Sequence, residues 1–381
     1  MKPRLKVTVR RAALACVASA VALVLAELVI RAAFGDRFAP RPAFTVQDRQ
    51  IIKRLTPNLD DVFHGADFTM QIRTDDFGVR LGERGPIDYE SADVVLVVGD
   101  SNVFSWGVET DDALVSALDV LCRERPRLRA VNLGVGGYGS LQAVEGLRRF
   151  LAATRVERVR GVIFLHITND CTDNEVLLLF QHGFMDFTPK AAASLQGNRS
   201  PLHALNLLRQ LSASAAGAGS DTGGGGAGDA AFVDVLQTTG VYYTDKKPAA
   251  IKLPSGLVVD PDHEFFDRRA HRGRIRRLYS PREEVSELQQ HLLQLAVDRL
   301  GEVVAELGIP VIHTVRSPNL SFTRAVETSV ARSPRRGNLV QFREIPGPAE
   351  PPRNPHSGGH YTPAYNRFLA SVFFEWLRPY L

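Results

Sequence analysis

Gly99-Asp100-Ser101 closes the strongest strand signal in the chain, Ala92-Asp93-Val94-Val95-Leu96-Val97-Val98, and sets a serine hydroxyl at its end. An aliphatic run without alternation predicts a strand buried on both faces, the habit of parallel sheets. Such sheets gather ligands at the carboxyl ends of their strands. Two further runs end in the same way. Arg129-Ala130-Val131-Asn132-Leu133 leads into Gly134-Val135-Gly136-Gly137-Tyr138-Gly139, a loop whose amides face a ligand without Cβ obstruction, and Gly161–Ile167 leads into Thr168-Asn169-Asp170. Near the C-terminus, Gly359-His360-Tyr361-Thr362-Pro363 places a histidine before a helix start, with Thr362 as N-cap and Pro363 at the first helical position. A hydroxyl, bare amides, a carboxamide and an imidazole are the groups acyl transfer needs. The first attacks a carbonyl, the next two stabilise the oxyanion, and the last moves the proton. Each piece alone also fits ordinary loop chemistry, and Gly-Asp-Ser by itself is equally a polar capping turn.

The elements that must position these groups alternate between strand and helix. After Ser101, Thr110 or Asp111 is a candidate cap for a helix with Leu114, Ala117, Leu118 and Leu121 at helical spacing. Later, Ser280-Pro281-Arg282-Glu283 reads as a capping box. It opens an apolar stripe from Val285 through Leu288, Leu292 and Leu300 to Leu307, closed by Gly308 and followed by a strand over Ile309–Val315. Strand and helix in alternation predict an α/β fold with a doubly wound parallel sheet.

The four blocks, Gly99-Asp100-Ser101, the loop with Gly137, Asn169-Asp170 and His360, stand in the order found in SGNH, or GDSL-type, hydrolases, and the chain resembles that family. The match covers roughly residues 92–175 and 284–376. It implies a three-layer, flavodoxin-like α/β fold with Ser101 as nucleophile and His360 as base. The implied oxyanion site is the Ser101 and Gly137 backbone N–H groups with the Asn169 amide. The family usually carries an aspartate three residues before the histidine, where this chain has Ser357. Asp100, Asp170 and Ser357 are therefore the candidates for orienting groups. Upstream, Leu55-Thr56-Pro57-Asn58 and Phe77-Gly78-Val79-Arg80 resemble the segment before the core in membrane-anchored bacterial SGNH proteins. The function implied is a serine esterase removing acyl or acetyl groups from a cell-envelope carbohydrate or lipid. An O-acyltransferase of envelope polysaccharide and a non-catalytic glycan- or partner-binding protein are the alternatives. No cofactor and no metal is expected.

Lys2, Arg4, Lys6, Arg10 and Arg11 form a cytoplasmic basic tail over residues 1–11, ahead of an apolar segment at 12–30. At 1.5 Å per residue that segment is about 28 Å long, enough to span a bilayer. The basic flank stays inside, which puts the rest of the chain on the periplasmic side. Glu27 and Arg31, four apart, are placed to pair at the outer interface. Small-residue sites such as Ala18-Ser19-Ala20 leave a cleaved signal peptide as the rival reading. Residues 31–90 read as an accessory module that packs on the core without doing chemistry, with Phe68, Met70 and Ile72 alternating as in a half-buried strand. Residues 91–381 form the SGNH-like domain, interrupted by an insertion at about 176–280. Within it are a short helix over Pro201–Leu211, an Ala/Gly/Ser-rich loop at 213–230 and a strand at Gly240–Tyr243. The insertion is either a lid over the site or a surface excursion.

With 381 residues, 44% hydrophobic and 23% charged, the chain has the composition of a folded protein with a sizeable core. Its net charge of +4 comes with no zinc-finger spacing or aromatic-basic stripe, so nucleic acid is not an expected partner. The expected partners are an acylated carbohydrate or lipid substrate and the membrane. His166 and His313 fall inside core strands and read as packing residues. Asp170, Asp173 and Glu175 lack a ligand motif and read as hydrogen-bonding groups. Arginines at 268, 269, 272, 274, 276 and 277 read as a solvated face or an attraction for anionic glycan or lipid. Cys122 and Cys171 read as buried small side chains, with a disulfide as the alternative.

Overall fold

The aliphatic run forms β5 (Asp93–Gly99), in which every side chain from Val94 to Val98 is completely buried. β5 belongs to a five-stranded parallel sheet with β6 (Leu128–Gly134), β7 (Arg158–His166), β12 (Val311–Val315) and β13 (Val340–Phe342). The strand order is β13-β12-β7-β5-β6. The computed structural model describes residues 3–34, 44–64, 68–187, 241–263, 266, 284–334, 339–347 and 360–381.

Successive side chains on a strand point to opposite faces. Val94, Leu96 and Val98 accordingly join one apolar cluster, with residues of α4 (Ser140–Thr154), α6 (Glu287–Leu307) and α7 (Leu320–Arg332). Val95 and Val97 join another, with residues of α3 (Leu114–Leu121) and α8 (Pro363–Leu377). Apolar partners on both sides explain why the run shows no alternation. Burying each such side chain contributes about 1.5–3 kcal/mol. The chain passes from β5 to β6 on one side and then places β7 on the other, so the strand order reverses at β5. Crevices at such reversals are where parallel sheets bind ligands.

Helix boundaries differ from the sequence expectation at two places. Thr110 and Asp111 do not cap α3; they lie in a 3-10 turn, and α3 starts at Leu114. A four-residue helix, α2 (Ser101–Phe104), begins at the serine itself because the Asp100 carboxylate accepts the Asn102 N–H at 2.8 Å. α6 starts at Glu287, where Ser286 and Gln289 form the capping box, while Ser280-Pro281-Arg282-Glu283 lies outside the described residues. α6 ends on Gly308 in the left-handed region, φ +65°, and α8 opens on Thr362 with Pro363 at its start, both as expected.

Residues 44–196 and 226–381 cluster as one compact unit, which includes two antiparallel hairpins before the sheet. These are β1 (Thr45–Asp48) with β2 (Ile52–Leu55), and β3 (Asp60–His64) with β4 (Thr69–Arg73). Met70 and Ile72 are the buried positions of β4. Arg80 then bridges to Asn132 of β6. The other unit comprises residues 1–43 and 197–225. Its described part is α1 (Pro3–Phe34), in which Leu14–Ala33 is a 20-residue stretch long and apolar enough to cross a membrane. Arg31 Nε donates to Glu27 Oε1 at 2.8 Å. The expected Pro201–Leu211 helix, the 213–230 loop and the arginines at 268–277 lie outside the described residues, whereas the strand near Gly240 is present as β9 (Val241–Tyr243), which pairs with β8 (Met185–Phe187) and precedes the hairpin of β10 (Ile251–Lys252) and β11 (Val258–Val259).

Candidate active site

Ser101 is held by a tightly packed turn. Gly99 precedes it, and a Cβ there would meet Val103 Cγ2 at 2.6 Å and the Leu165 carbonyl at 2.8 Å. Across the β5–β6 register, Gly99 faces Gly134, whose own Cβ would strike the Phe104 nitrogen at 2.3 Å. Only glycines let β6 lie this close to α2. From the other side the buried Arg80 guanidinium donates to the carbonyl oxygens of Phe104, Ser105 and Val108, the last two at 3.0 Å. Burial pushes its pKa down to about 10, still far above neutrality. Arg80 therefore fastens the end of α2 as a cation.

His360 arrives on the residues leading into α8, and its Nε2 lies 2.8 Å from Ser101 Oγ. The serine proton has a second acceptor, Asp100 Oδ2, at 3.3 Å. The shorter contact favours donation to the imidazole, which requires the ring's proton to sit on Nδ1. Asp100 is itself engaged by the Asn102 N–H and carboxamide, so it shapes the turn. The Ser357 position lies outside the described residues.

The candidate amide donors lie on the segments that follow β6 and β7. Gly136 is close enough that a Cβ there would sit 3.7 Å from Ser101 Cβ. Gly137 adopts φ +71°, a conformation natural to glycine. Among the described residues, neither the Ser101 nor the Gly137 backbone N–H meets an acceptor. Asn169 follows β7 and gives one amide hydrogen to Asp173 Oδ2 at 2.7 Å, which leaves the other for a ligand. Ser101, Gly136, Gly137, Asn169 and His360 are all half-buried, so each keeps some exposure to solvent.

Beneath lies a buried polar network. His166 stacks near His313 on the adjacent strand, with Nε2 3.0 Å from His313 Nδ1, and its Nδ1 is 3.2 Å from Asp170 Oδ2. Ser140 Oγ donates to the same Asp170 oxygen at 2.7 Å. Burial pushes the His166 pKa down to about 3 and His313 well below its usual value, while it drives Asp170 well above the carboxylate range. Burial thus favours neutral rings on both histidines and opposes ionisation of Asp170. His166 and His313 are core residues, as their strand positions predicted. Asp170 hydrogen-bonds Ser140 and lies beside His166 rather than at Ser101 or His360, and the nearby Asp100 charge adds to the upward push. Asp173 is raised to about 7, by burial first and against the Asn169 hydrogen bond.

Cys122 and Cys171 are both buried free thiols. Two functional-site neighbours lay beyond the sequence reading. Arg80 is one, and Lys53 of β2, buried beside Gly137, is the other. Both come from the segment expected only to pack against the core. No known family model matches the chain, and no curated protein sequence is detectably similar to it.

Proposed function

We propose that the protein is a serine hydrolase of the SGNH type that cleaves an acyl ester through an acyl-Ser101 intermediate. The observation that carries this reading is the 2.8 Å contact between His360 Nε2 and Ser101 Oγ, two residues 259 positions apart in sequence. The helices over both faces of the five-stranded sheet fit the three-layer, doubly wound arrangement that the reading requires.

In the first half-reaction Ser101 Oγ bonds to the ester carbonyl carbon as its proton passes to His360 Nε2. The carbonyl oxygen becomes an oxyanion, met by the Ser101 and Gly137 N–H groups and the second Asn169 amide hydrogen. Collapse expels the alcohol, which takes the proton from His360 and leaves the acyl group on Ser101. Water then attacks with His360 again accepting its proton, and release of the acid restores the serine. An O-acyltransferase would follow the same path with a sugar hydroxyl in place of water.

The substrate class follows from location. A basic tail ahead of a membrane-length apolar helix directs the remaining chain across the membrane, where acylated carbohydrates and lipids of the envelope are presented. The test is hydrolysis of p-nitrophenyl acetate by the full chain in detergent, with mass spectrometry of the quenched enzyme. Turnover with an acetyl group on Ser101 is expected. Undiminished turnover in Ser101→Ala overturns the proposal.

A further inference from the structure

Lys53 is 3% exposed, although lysine is among the residues least often buried. Its backbone explains how it comes to be inside. Ile52, a β-branched residue, is held at φ +71°, and the Lys53 N–H closes onto the Ile51 carbonyl at 2.8 Å. That is a γ-turn of the rare positive-φ kind, strained for any residue with a branched Cβ. Strain of this sort persists only where surrounding contacts enforce it, and it concentrates at functional sites. The enforcing contacts are here. Tyr138 of the glycine loop donates its hydroxyl to the Lys53 carbonyl at 2.6 Å, and Gln142 Nε2 donates to the Ile51 carbonyl at 3.0 Å.

The turn delivers the ammonium into the site. A Cβ on Gly137 would meet Lys53 Nζ at 3.1 Å, so the cation fills the space that the glycine leaves open. Three carboxyl groups sit within electrostatic reach of one another below: Asp100 at the end of β5, and Asp170 and Asp173 on α5 (Asp170–Gln181). Carboxyl groups this close oppose, to the extent that they ionise, the negative charge that develops in acyl transfer, and a neighbouring cation relieves that conflict.

We propose that Lys53 is a positioning residue of the Ser101 site, its ammonium set against Gly137 and its charge acting on the Asp173 carboxylate that holds the Asn169 amide. The idea rests on the hydrolase reading for its catalytic consequence, while its electrostatic part stands separately. The groups that bear on Asp173 are Lys53 from β2, Asp100 from β5 and Asp170 and Asn169 from its own segment. Lys53 favours the ionised carboxyl, and the two aspartates oppose it.

The test compares the full-length wild type with Lys53→Met and Lys53→Arg. Without the cation, Asp173 titrates at higher pH. With a displacement of one pH unit, kcat for p-nitrophenyl acetate in Lys53→Met falls about tenfold on the acid side of the limb, recovers toward wild type at pH 9, and leaves KM unchanged. Lys53→Arg keeps the wild-type limb. A Lys53→Met enzyme with wild-type kcat and pH profile overturns the proposal, and Lys53→Gln takes its place should the methionine variant not fold. A second measurement follows the 13C resonance of the labelled Asp173 carboxyl through a pH titration, assigned with Asp173→Asn. If the wild type hydrolyses no ester, the hydrolase reading fails on its own. An upward Asp173 midpoint in Lys53→Met then still supports the electrostatic coupling of Lys53 to Asp173, and an unmoved midpoint refutes it.

Discussion

Replacing Asn169 with alanine separates the roles of its two amide hydrogens. One is bound to Asp173 at 2.7 Å, and the other is the hydrogen assigned to the proposed oxyanion. Loss of one oxyanion donor lowers kcat by about 10²–10³, or roughly 2.7–4 kcal/mol of transition-state stabilisation. Because that interaction strengthens only as charge develops, KM changes little. The lost hydrogen bond to Asp173 has a second effect. Asn169 lowers the Asp173 pKa, so its removal moves that group upward from about 7. A buried acceptor deprived of its donor costs about 1–3 kcal/mol, which lowers Tm by several degrees. The assay is steady-state hydrolysis of p-nitrophenyl acetate from pH 6 to 9, with thermal unfolding of the same samples. A pure rise in KM at constant kcat would mean that Asn169 binds the ground state only, and the oxyanion assignment would be wrong.

Other perturbations test the supports of the site. Arg80→Met strands the Phe104, Ser105 and Val108 carbonyls at the end of α2. It should destabilise the fold by about 3 kcal/mol or more and lower activity in parallel, read from urea midpoints and turnover; a stability loss under 1 kcal/mol refutes the anchoring role. For Asp170, the folded pKa lies above the unfolded 3.8, so the wild type loses stability as pH rises from 3.8 toward the folded value. Asp170→Asn lacks this loss and should gain on the wild type by about 1.4 kcal/mol per pH unit over that range; parallel stability curves show instead that Asp170 is ionised in the fold. A reporter fused after Leu381 should be active only outside the cytoplasm, with the chain remaining in membranes after a high-salt wash. Cytoplasmic activity reverses the orientation, and release with a new N-terminus shows a cleaved signal.

The candidates Ser101, Gly137 and Asn169 were legible because each follows a strand whose burial was written in its composition. The Val94–Val98 run has apolar partners on both faces, and the glycines at 99 and 134 are where backbone meets backbone. Thr362 and Pro363 marked the start of α8 beside His360 for equally local reasons. What was not legible depends on distance in sequence. Lys53 and Tyr138 are 85 positions apart, and nothing in Ile51-Ile52-Lys53 announces a positive φ at the middle residue. His166 and His313 could be read as core residues, but their contact follows from the register of β7 against β12, where Val315 faces His166. The start of α6 at Glu287 was harder to read because two serines, 280 and 286, each precede a plausible capping pattern; Ser286 caps the helix, and Ser280 lies outside the described residues.

The central claim is that His360 activates Ser101, and its most direct test is the rate at which a fluorophosphonate labels the full chain, mapped by peptide mass spectrometry. Labelling confined to Ser101, abolished in Ser101→Ala and slowed by about 10³ or more in His360→Ala, is the expected result. A folded protein that leaves Ser101 unlabelled, or labels it at the same rate without His360, contradicts the account.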